Sequence, residues 1–488
     1  MWIVEEPIYF GFRPAIPKGR EDLREVVTPE MKFNKLKLIL HRSSMKHYEQ
    51  YLQTSNFFSK VHYLDLADCM KQCYAEGEAI EMIDPVDHYL GDRLRSVAKS
   101  VEMHDNPSFA ISLDDMKEYH LTQGQSKRYV QQHFYEFVKK KVGILVGVAS
   151  RDSENRSAIP DIKAPAMKRT TGILKTSLDK TTLEAVAYIE KHFPKNPGSS
   201  DMKYPVTRDE AMGLLGEFLQ TRFKEFGKFQ DAMLHGAAFL SHSVISSSLN
   251  IGLITVKDVV DAVRPLVKKV AMNNVEGFIR QVLGWREYQR YMYTYEYKTM
   301  ISTNYFGHTS LLREDIWWPN AGKKHPTGIV PVDDALNQAW SLGYLHHIYR
   351  LMVMSNIFNL LRVDPHCCYK WFMEFSVDSY DWVMIQNVYS MGQWADGGLS
   401  MRKPYISSDN YITKMSNYKS GEWCNQWKSL FYAYLADHEA ELAKTPYIRN
   451  LTHWNKKSPS EQKAVRAAAD NACSRLTKQP RKRSRSVS

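Results

Sequence analysis

The stretch LGYLHHIYRLMV, residues 342–353, says more about the fold than any other short segment of the chain. Its apolar residues recur with helical spacing and predict one continuous helix that packs through leucine, isoleucine and methionine. In that helix His347 and Arg350 lie one turn apart on the same face, and His346 lies about 100° around the axis. A lone histidine on an apolar helix is usually a core residue, so the neighbouring segments decide what these side chains do.

The helical pattern extends over the second half of the chain. Nearly every segment between residues 206 and 474 has a period of 3.6 residues, and ten of the eleven tryptophans lie between Trp285 and Trp454. The pattern predicts an all-helical domain, residues 206–474, and the tryptophans indicate an aromatic core or pocket inside it.

The first 145 residues have a different pattern. Strand-like WIVEE, KVHYLDL and AIEMID alternate with helical segments such as KLKLILHRSSMKHYEQYLQ. This β-α-β-α-β order predicts an α/β domain, residues 1–145, built on a doubly wound parallel sheet. Residues 146–205 are rich in Pro, Ser, Gly and charge, and predict an interdomain linker with one helix near residues 183–192.

Composition limits the classes of protein. No apolar run reaches the roughly 18–20 residues that cross a bilayer, and the N-terminus lacks the layout of a secretory signal, so we expect an intracellular protein without a membrane span. Six cysteines in 488 residues do not form a disulfide framework. The net charge of +11 favours a polyanionic partner such as nucleic acid. Residues 475–488 predict a disordered basic tail, which is either a nuclear-import or phosphate-binding element or a solvated tail.

Three segments of the helical half carry a recognisable pattern when they are taken together. The first is HSVISSSLNIGLIT at 242–255, and the second is EGFIRQVLGWREYQRY at 276–291. The third begins with the stretch at 342–353 and continues with WFMEFSVDSYDWVMIQNVYSMGQWADGG at 371–398 and KPYISSDNYITKMSNY at 403–418. The combination resembles the photolyase/cryptochrome superfamily over almost the whole chain. The nearest branch is that of the prokaryotic-type 6-4 photolyases, the iron–sulfur bacterial cryptochromes and photolyases.

The resemblance implies that the helical domain binds FAD. A flavin needs charged groups near its ring to set its electronics, and a buried arginine needs a carboxylate partner. The implied FAD residues are Ser243, Ile245 (through its backbone) and Ser246 at the phosphates with Asn250 nearby, Arg286 against the flavin, the Arg350–Asp378 pair beside the isoalloxazine ring, and Met384 facing flavin N5.

The resemblance also implies a catalytic set. His347 corresponds to the acid beside the lesion in 6-4 photolyases, Trp285 faces the lesion, Gln281 lies at the floor of the pocket, and His346 has a structural role. Reversal of a 6-4 photoproduct moves a hydroxyl or amino group between two pyrimidines, which requires a proton, and an imidazole with an ordinary pKa near ~6.5 can supply it.

The implied function is light-driven repair of 6-4 photoproducts in UV-damaged DNA by a monomeric FAD enzyme. The alternative is a cryptochrome-like blue-light photoreceptor that binds FAD and repairs nothing. Carbon–carbon lyase activity on a cyclobutane dimer is a weaker expectation than activity on a 6-4 lesion.

The chain departs from the family at the iron–sulfur site. Where the family has cluster cysteines this chain has Pro331, Lys419 and Glu422, and Cys424 stands nearly alone. A cluster needs four thiolates or close substitutes, so we predict no iron–sulfur cluster and no other metal.

Two further departures concern light harvesting and electron supply. The family's photoreduction path begins at a tryptophan that corresponds to Trp371, but its next two aromatic positions are Phe372 and Lys323 here. Either other aromatics such as Trp340 and Trp382 carry the electron, or reduction depends on an external reductant. The strand that family members usually have before WIVEE is absent from this sequence, through either a genuine loss or a mis-assigned start codon. Without that strand an antenna chromophore of the lumazine or deazaflavin type is doubtful.

Overall fold

The computed structural model describes residues 2–5, 31–55, 57–58, 60–65, 79–123, 129–158, 173–318, 326–443 and 445–479. Lys323 and the basic segment after residue 479 lie outside these ranges. In the part of the chain that is described, no helix is long and apolar enough to span a bilayer.

The N-terminal part contains parallel strands flanked by helices. Strand β1 (Trp2–Glu5) pairs with β2 (His62–Asp65), and β3 (Ala79–Ile83) pairs with β4 (Ser100–His104), both in parallel. The helices are α1 (Lys35–Ser55), α2 (His88–Val97), α3 (Leu113–Thr122) and α4 (Gln131–Val142).

The α/β prediction is therefore confirmed only in part. Among the described residues the strands form two separate two-stranded sheets and not one doubly wound sheet. Strands β3 and β4 alternate between exposed and half-buried positions, whereas a doubly wound sheet needs strands buried on both faces. Strand β4 and helix α2 were not predicted, because SVEMH has too few apolar residues to stand out as a strand.

The helix in the predicted linker packs on the α/β part. Helix α5 (Lys180–His192) lies against α1, with a salt bridge of 2.8 Å between Arg42 and Glu184 at its rim. Exposed ion pairs contribute little, about 0–1 kcal/mol each, so the buried side chains of Ala185 and Ile189 supply most of the contact energy.

The second half is helical, as predicted, apart from one short antiparallel pair. Strands β5 (Leu311–Leu312) and β6 (Thr477–Lys478) bring the C-terminal helix back to the core, so residues 475–479 are ordered and the predicted disordered tail cannot begin at 475. The helices are α6 (Arg208–Thr221), α7 (Phe226–Phe229), α8 (Ser246–Asn250), α9 (Val256–Val263), α10 (Met272–Ile279), α11 (Glu287–Ile301), α12 (Glu314–Trp317), α13 (Val330–Leu342), α14 (Asn356–Leu360), α15 (Pro365–Phe375), α16 (Asp381–Ile385), α17 (Asp409–Met415), α18 (Glu422–Asp437), α19 (Glu439–Leu442), α20 (Ile448–Asn455) and α21 (Pro459–Leu476).

Three segments of this half are π-helical. They are Arg280–Arg286 between α10 and α11, Tyr349–Ser355 before α14, and Gln386–Gly392 after α16. A π-helical turn holds more residues than an α-helical turn, which shifts side chains around the axis, and such turns occur often at functional sites. The apolar pattern predicted ordinary α-helix at all three places.

The prediction of one continuous helix over residues 342–353 is wrong. Helix α13 ends at Leu342, Gly343 is left-handed with φ of 57°, and residues 344–346 are not helical. A Cβ atom at Gly343 would lie 2.7 Å from Cγ1 of Val377, so the chain turns where only glycine fits. A new helical segment begins at His347, and the two histidines therefore do not belong to one helix.

Candidate functional site

A cavity of about 510 Å³ opens in the helical half. All three π-helical segments contribute to its lining, as does the turn before α8. Eleven of the thirteen side chains predicted from the sequence line it: Ser243, Ile245, Ser246, Asn250, Gln281, Trp285, Arg286, His347, Arg350, Asp378 and Met384. His346 and Trp371 do not line it.

Arg350 and Asp378 form a salt bridge of 2.9 Å at the cavity. The Asp378 carboxylate also accepts a hydrogen bond of 2.6 Å from the Ser246 hydroxyl, and the Asn250 amide donates to the Asp378 carbonyl oxygen at 2.9 Å. Arg350 Nε donates to the Leu345 carbonyl oxygen at 2.5 Å. The hydroxyl-rich turn and the Arg–Asp pair are thus one hydrogen-bonded unit, although they are far apart in sequence.

Arg286 also lines the cavity, but protein groups bind most of its hydrogen-bond donors. Nη1 donates to the Ser108 carbonyl at 2.9 Å, Nη2 to the Leu249 carbonyl at 3.2 Å, and Nε to the Asn250 side chain at 3.3 Å. The guanidinium carbon lies 4.2 Å from the centroid of the Phe109 ring. Burial lowers the pKa of Arg286 to about 10, so it stays charged at neutral pH and joins the α/β part to the cavity wall.

His347 presents its imidazole to the cavity. The side chain of His347 is exposed to solvent at the cavity. Desolvation by the surrounding protein, together with the nearby His242, Arg156 and Arg350, lowers the pKa of His347 to about 4. In the free protein the imidazole is therefore neutral near neutral pH, and its pKa lies below the ordinary value expected from the sequence.

His346 points away from the cavity and is fully enclosed. Its ring stacks on His242 at a centroid distance of 4.4 Å and meets Tyr349 edge-on at 4.8 Å. Neither ring nitrogen of His346 has a hydrogen-bond partner among the described residues, and burial lowers its pKa well below the ordinary value. This placement agrees with the predicted structural role, which stays a prediction.

Sequence reasoning missed several residues of the cavity wall. Asn387 accepts the indole N–H of Trp285 at 3.2 Å, and Asp231 forms a salt bridge of 3.3 Å with Arg156 near Tyr405. Burial raises the pKa of Asp231. Tyr405 and Asn387 lie in quoted motifs that predicted no site role for them, and Arg156 and Asp231 come from segments outside those motifs.

Trp371, the predicted start of an electron path, is buried behind the cavity wall. Its indole N–H donates to the Trp317 carbonyl at 3.1 Å, and its ring centroid lies 5.1 Å from that of Phe372. Phe372 and Trp382 line the cavity in its place, and Trp340 does not.

Four cysteines lie in the described ranges, and none of them forms a disulfide. Cys367, Cys368 and Cys424 are buried and unbridged, and the described part of the chain contains no group of three or more His, Cys, Asp or Glu side chains that could hold a metal ion. The absence of an iron–sulfur cluster stays a prediction.

Comparison with known proteins identifies the family of this chain. Residues 22–204 match the family of deoxyribodipyrimidine photo-lyase-related proteins, and residues 278–470 match the FAD binding domain of DNA photolyase. A (6-4) photolyase of Agrobacterium fabrum is 32% identical over 365 residues, which cover 70% of each chain. The chain belongs to the photolyase/cryptochrome family, and its helical half carries the FAD-binding domain of that family.

Solved structures share the fold. A bacterial class III photolyase from Agrobacterium tumefaciens superposes with a TM-score of 0.54 at 15% identity, covering 97% of this chain and 92% of its own. A cryptochrome of Synechocystis gives a TM-score of 0.50 at 14% identity, covering 95% and 87%. The family prediction is confirmed.

The cavity residues fit FAD. A volume of about 510 Å³ is in the usual range of cofactor sites, roughly 300–1,000 Å³. The wall offers a guanidinium with its own carboxylate, the hydroxyls of Ser243 and Ser246, and the apolar side chain of Met384. Charged groups suit phosphates and the polar edge of a flavin, and apolar groups suit its ring faces.

Proposed function

We propose that the protein is a light-driven DNA repair enzyme of the 6-4 photolyase type. One observation carries the proposal: His347 lies in the same cavity as the Arg350–Asp378 pair, so an imidazole stands next to the site that suits the flavin. FAD, when bound, supplies an electron after absorbing blue or near-ultraviolet light.

The chain's own residues hold the cofactor and the lesion. Ser243, Ile245, Ser246 and Asn250 would bind the phosphates, and Arg350 with Asp378 would fix the charge beside the flavin ring with Met384 against it. Trp285, held by Asn387, and Gln281 would contact a nucleotide flipped out of the duplex, since enzymes of this class take the damaged base out of the stack.

His347 would deliver the proton that the transfer between the two pyrimidines requires. Because its pKa in the free protein is about 4, His347 has to gain the proton in the complex. The phosphates of bound DNA would bring negative charge near the imidazole, and a nearby negative charge raises the pKa of a histidine. The net charge of +11 favours the approach of such a polyanion.

A cryptochrome-like photoreceptor is the second candidate. The observation that favours it is the same low pKa, because an imidazole that stays neutral is a far weaker acid for repair than an imidazolium. In that case the cavity would bind FAD and no lesion would be reversed.

The deciding experiment measures repair with chemically reduced protein under blue light, using oligonucleotides with one 6-4 photoproduct or one cyclobutane dimer. We expect restoration of the 6-4 substrate, and a loss of about 10²–10⁴-fold in His347→Ala with FAD still bound. His133→Ala, an exposed position on α4, is the control and should repair at the wild-type rate. Restoration of neither substrate would favour the photoreceptor.

A further inference from the structure

Aromatic side chains lead from the cavity to the surface along α11. The indole of Trp285 lines the cavity, and its ring centroid is 5.9 Å from that of Tyr288. Tyr288 and Tyr291 are 6.2 Å apart, and Tyr291 and Tyr295 are 5.2 Å apart. The four residues recur every three or four positions, so they follow one side of the helix, and Tyr295 is partly exposed.

Tyr291 combines burial with a basic partner. The side chain is fully buried, yet its hydroxyl lies 3.0 Å from Nδ1 of His120 on α3. With the imidazole proton on Nε2, Nδ1 accepts this hydrogen bond. His120 is partly exposed, and its ring stacks on Tyr295 at 3.9 Å, which fixes its orientation.

Packing alone explains the ring contacts, because aromatic pairs with centroids about 4.5–7 Å apart stabilise many interfaces. Packing does not require that a buried phenol be bonded to an imidazole that reaches solvent. Burial raises the pKa of Tyr291 above its ordinary value, so the phenol is protonated at neutral pH. To lose an electron readily, such a tyrosine needs a base within hydrogen-bond reach, and His120 is one.

We propose that Trp285, Tyr288 and Tyr291 form an electron path that ends at a redox-active Tyr291–His120 pair. Trp285 would give one electron to photoexcited oxidised FAD held in the cavity and would become an indole cation radical. One electron then passes from Tyr291 through the Tyr288 ring to Trp285. The O–H bond of Tyr291 breaks, its proton moves to Nδ1 of His120, and a neutral tyrosyl radical and an imidazolium remain. A small thiolate reductant in solution later returns one electron through the partly exposed Tyr295 and becomes a thiyl radical, and His120 returns the proton.

Two indoles line the cavity, those of Trp285 and Trp382, whereas Phe372 is far harder to oxidise. Of the two, Trp285 begins the series of ring contacts that runs along α11 toward the surface. The inference rests on flavin binding and not on repair, since both candidate functions require reduction of the cofactor. Repair by protein that is already reduced does not use the path, so the two proposals can fail separately.

The first test traps the radical. FAD-loaded protein grown with ring-deuterated tyrosine is illuminated with blue light, frozen, and examined by electron paramagnetic resonance. We expect a tyrosyl signal that deuteration narrows, that is lost in Tyr291→Phe, and that is lost or short-lived in His120→Asn, because an amide can accept the hydrogen bond at the Nδ1 position but not the proton. Tyr297→Phe, on the same helix and outside the path, should keep the signal.

The second test avoids the cofactor's photochemistry. In the dark, azide radicals from pulse radiolysis oxidise tryptophans of the same holoprotein, and the transfer from tryptophan radical to tyrosine is followed by absorbance. Tyr291→Phe and His120→Asn should both slow this transfer, and Tyr297→Phe should not. A wild-type yield of tyrosyl radical in Tyr291→Phe, or equal losses in all three variants, would overturn the proposal.

Discussion

Arg350 and Arg286 line the same cavity but are neutralised in different ways. We call Leu345, His347, Arg350 and Asp378 the Arg350 wall. In it the guanidinium forms a salt bridge of 2.9 Å with a carboxylate. We call Leu249, Asn250, Trp285 and Arg286 the Arg286 wall. In it the guanidinium donates hydrogen bonds to backbone carbonyls. The carboxylate of Glu287 lies 3.6 Å from it.

The difference shows two uses of a buried charge. A full ion pair keeps a fixed charge at the cavity, and the Ser246 hydroxyl that donates to it lines the same cavity. An arginine bound to carbonyls from separate parts of the chain ties those parts together, in this case the loop at Ser108 and the helical half. We expect substitutions in the Arg350 wall to affect the cofactor and those in the Arg286 wall to affect the packing of the two parts.

The largest effect is expected from Asp378→Asn. The substitution leaves the half-buried Arg350 without its countercharge, and breaking such a pair costs about 3–5 kcal/mol when it is fully buried, so we expect about 3 kcal/mol less free energy of unfolding. The variant should also lose FAD, measured by its bound absorbance after desalting. Asp261→Asn breaks exposed pairs with Lys257 and Arg264 and should leave the free energy of unfolding close to the wild-type value. Full FAD occupancy in Asp378→Asn would contradict the assignment.

Gly284→Ala tests the Arg286 wall. A Cβ atom there would lie 2.7 Å from Nε2 of Gln131 and 3.0 Å from the Tyr135 ring, both on α4, so overpacking should cost about 1–3 kcal/mol in denaturant unfolding. Gly213→Ala on α6 is the matched control, because nothing lies within 4 Å of its added Cβ. It should stabilise the protein by about 0.4–1 kcal/mol. Equal effects at the two glycines would mean that the α4 contact is not tight.

The Arg350–Asp378 pair was predictable only through the family resemblance, because both residues belong to motifs that carry this resemblance. The π-helical turns could not be predicted from the sequence, since one extra residue in a turn leaves the apolar pattern almost unchanged. A glycine such as Gly343 in SLGYL is typical of a helix end, but the apolar residues on both sides of it favoured one continuous helix. The pair of His120 and Tyr291 joins residues 171 positions apart, and no local pattern can reveal such a contact.

The smallest effect, and the one that separates the two walls by chemistry, is the pH dependence of repair. Burial and nearby positive charge lower the pKa of His347 to about 4, so in the assay range above that value the protonated fraction rises as the pH falls. If repair needs the imidazolium, its rate should rise by up to about tenfold for each unit of decreasing pH, and level off at the pKa that His347 has in the complex with DNA.

The Arg286 wall contains no imidazole, so a change there should not alter that slope. Arg286→Lys keeps the charge but loses the fork that reaches the carbonyls of Ser108 and Leu249, and it should lower the rate equally at every pH. His347→Gln should be slow with no rise toward acid. A wild-type rate that is flat between mildly acidic and mildly alkaline pH would show that no group titrates to supply the proton. The acid would then be the neutral N–H of His347 or another group, and the low pKa would be a property of the wall without a part in the reaction.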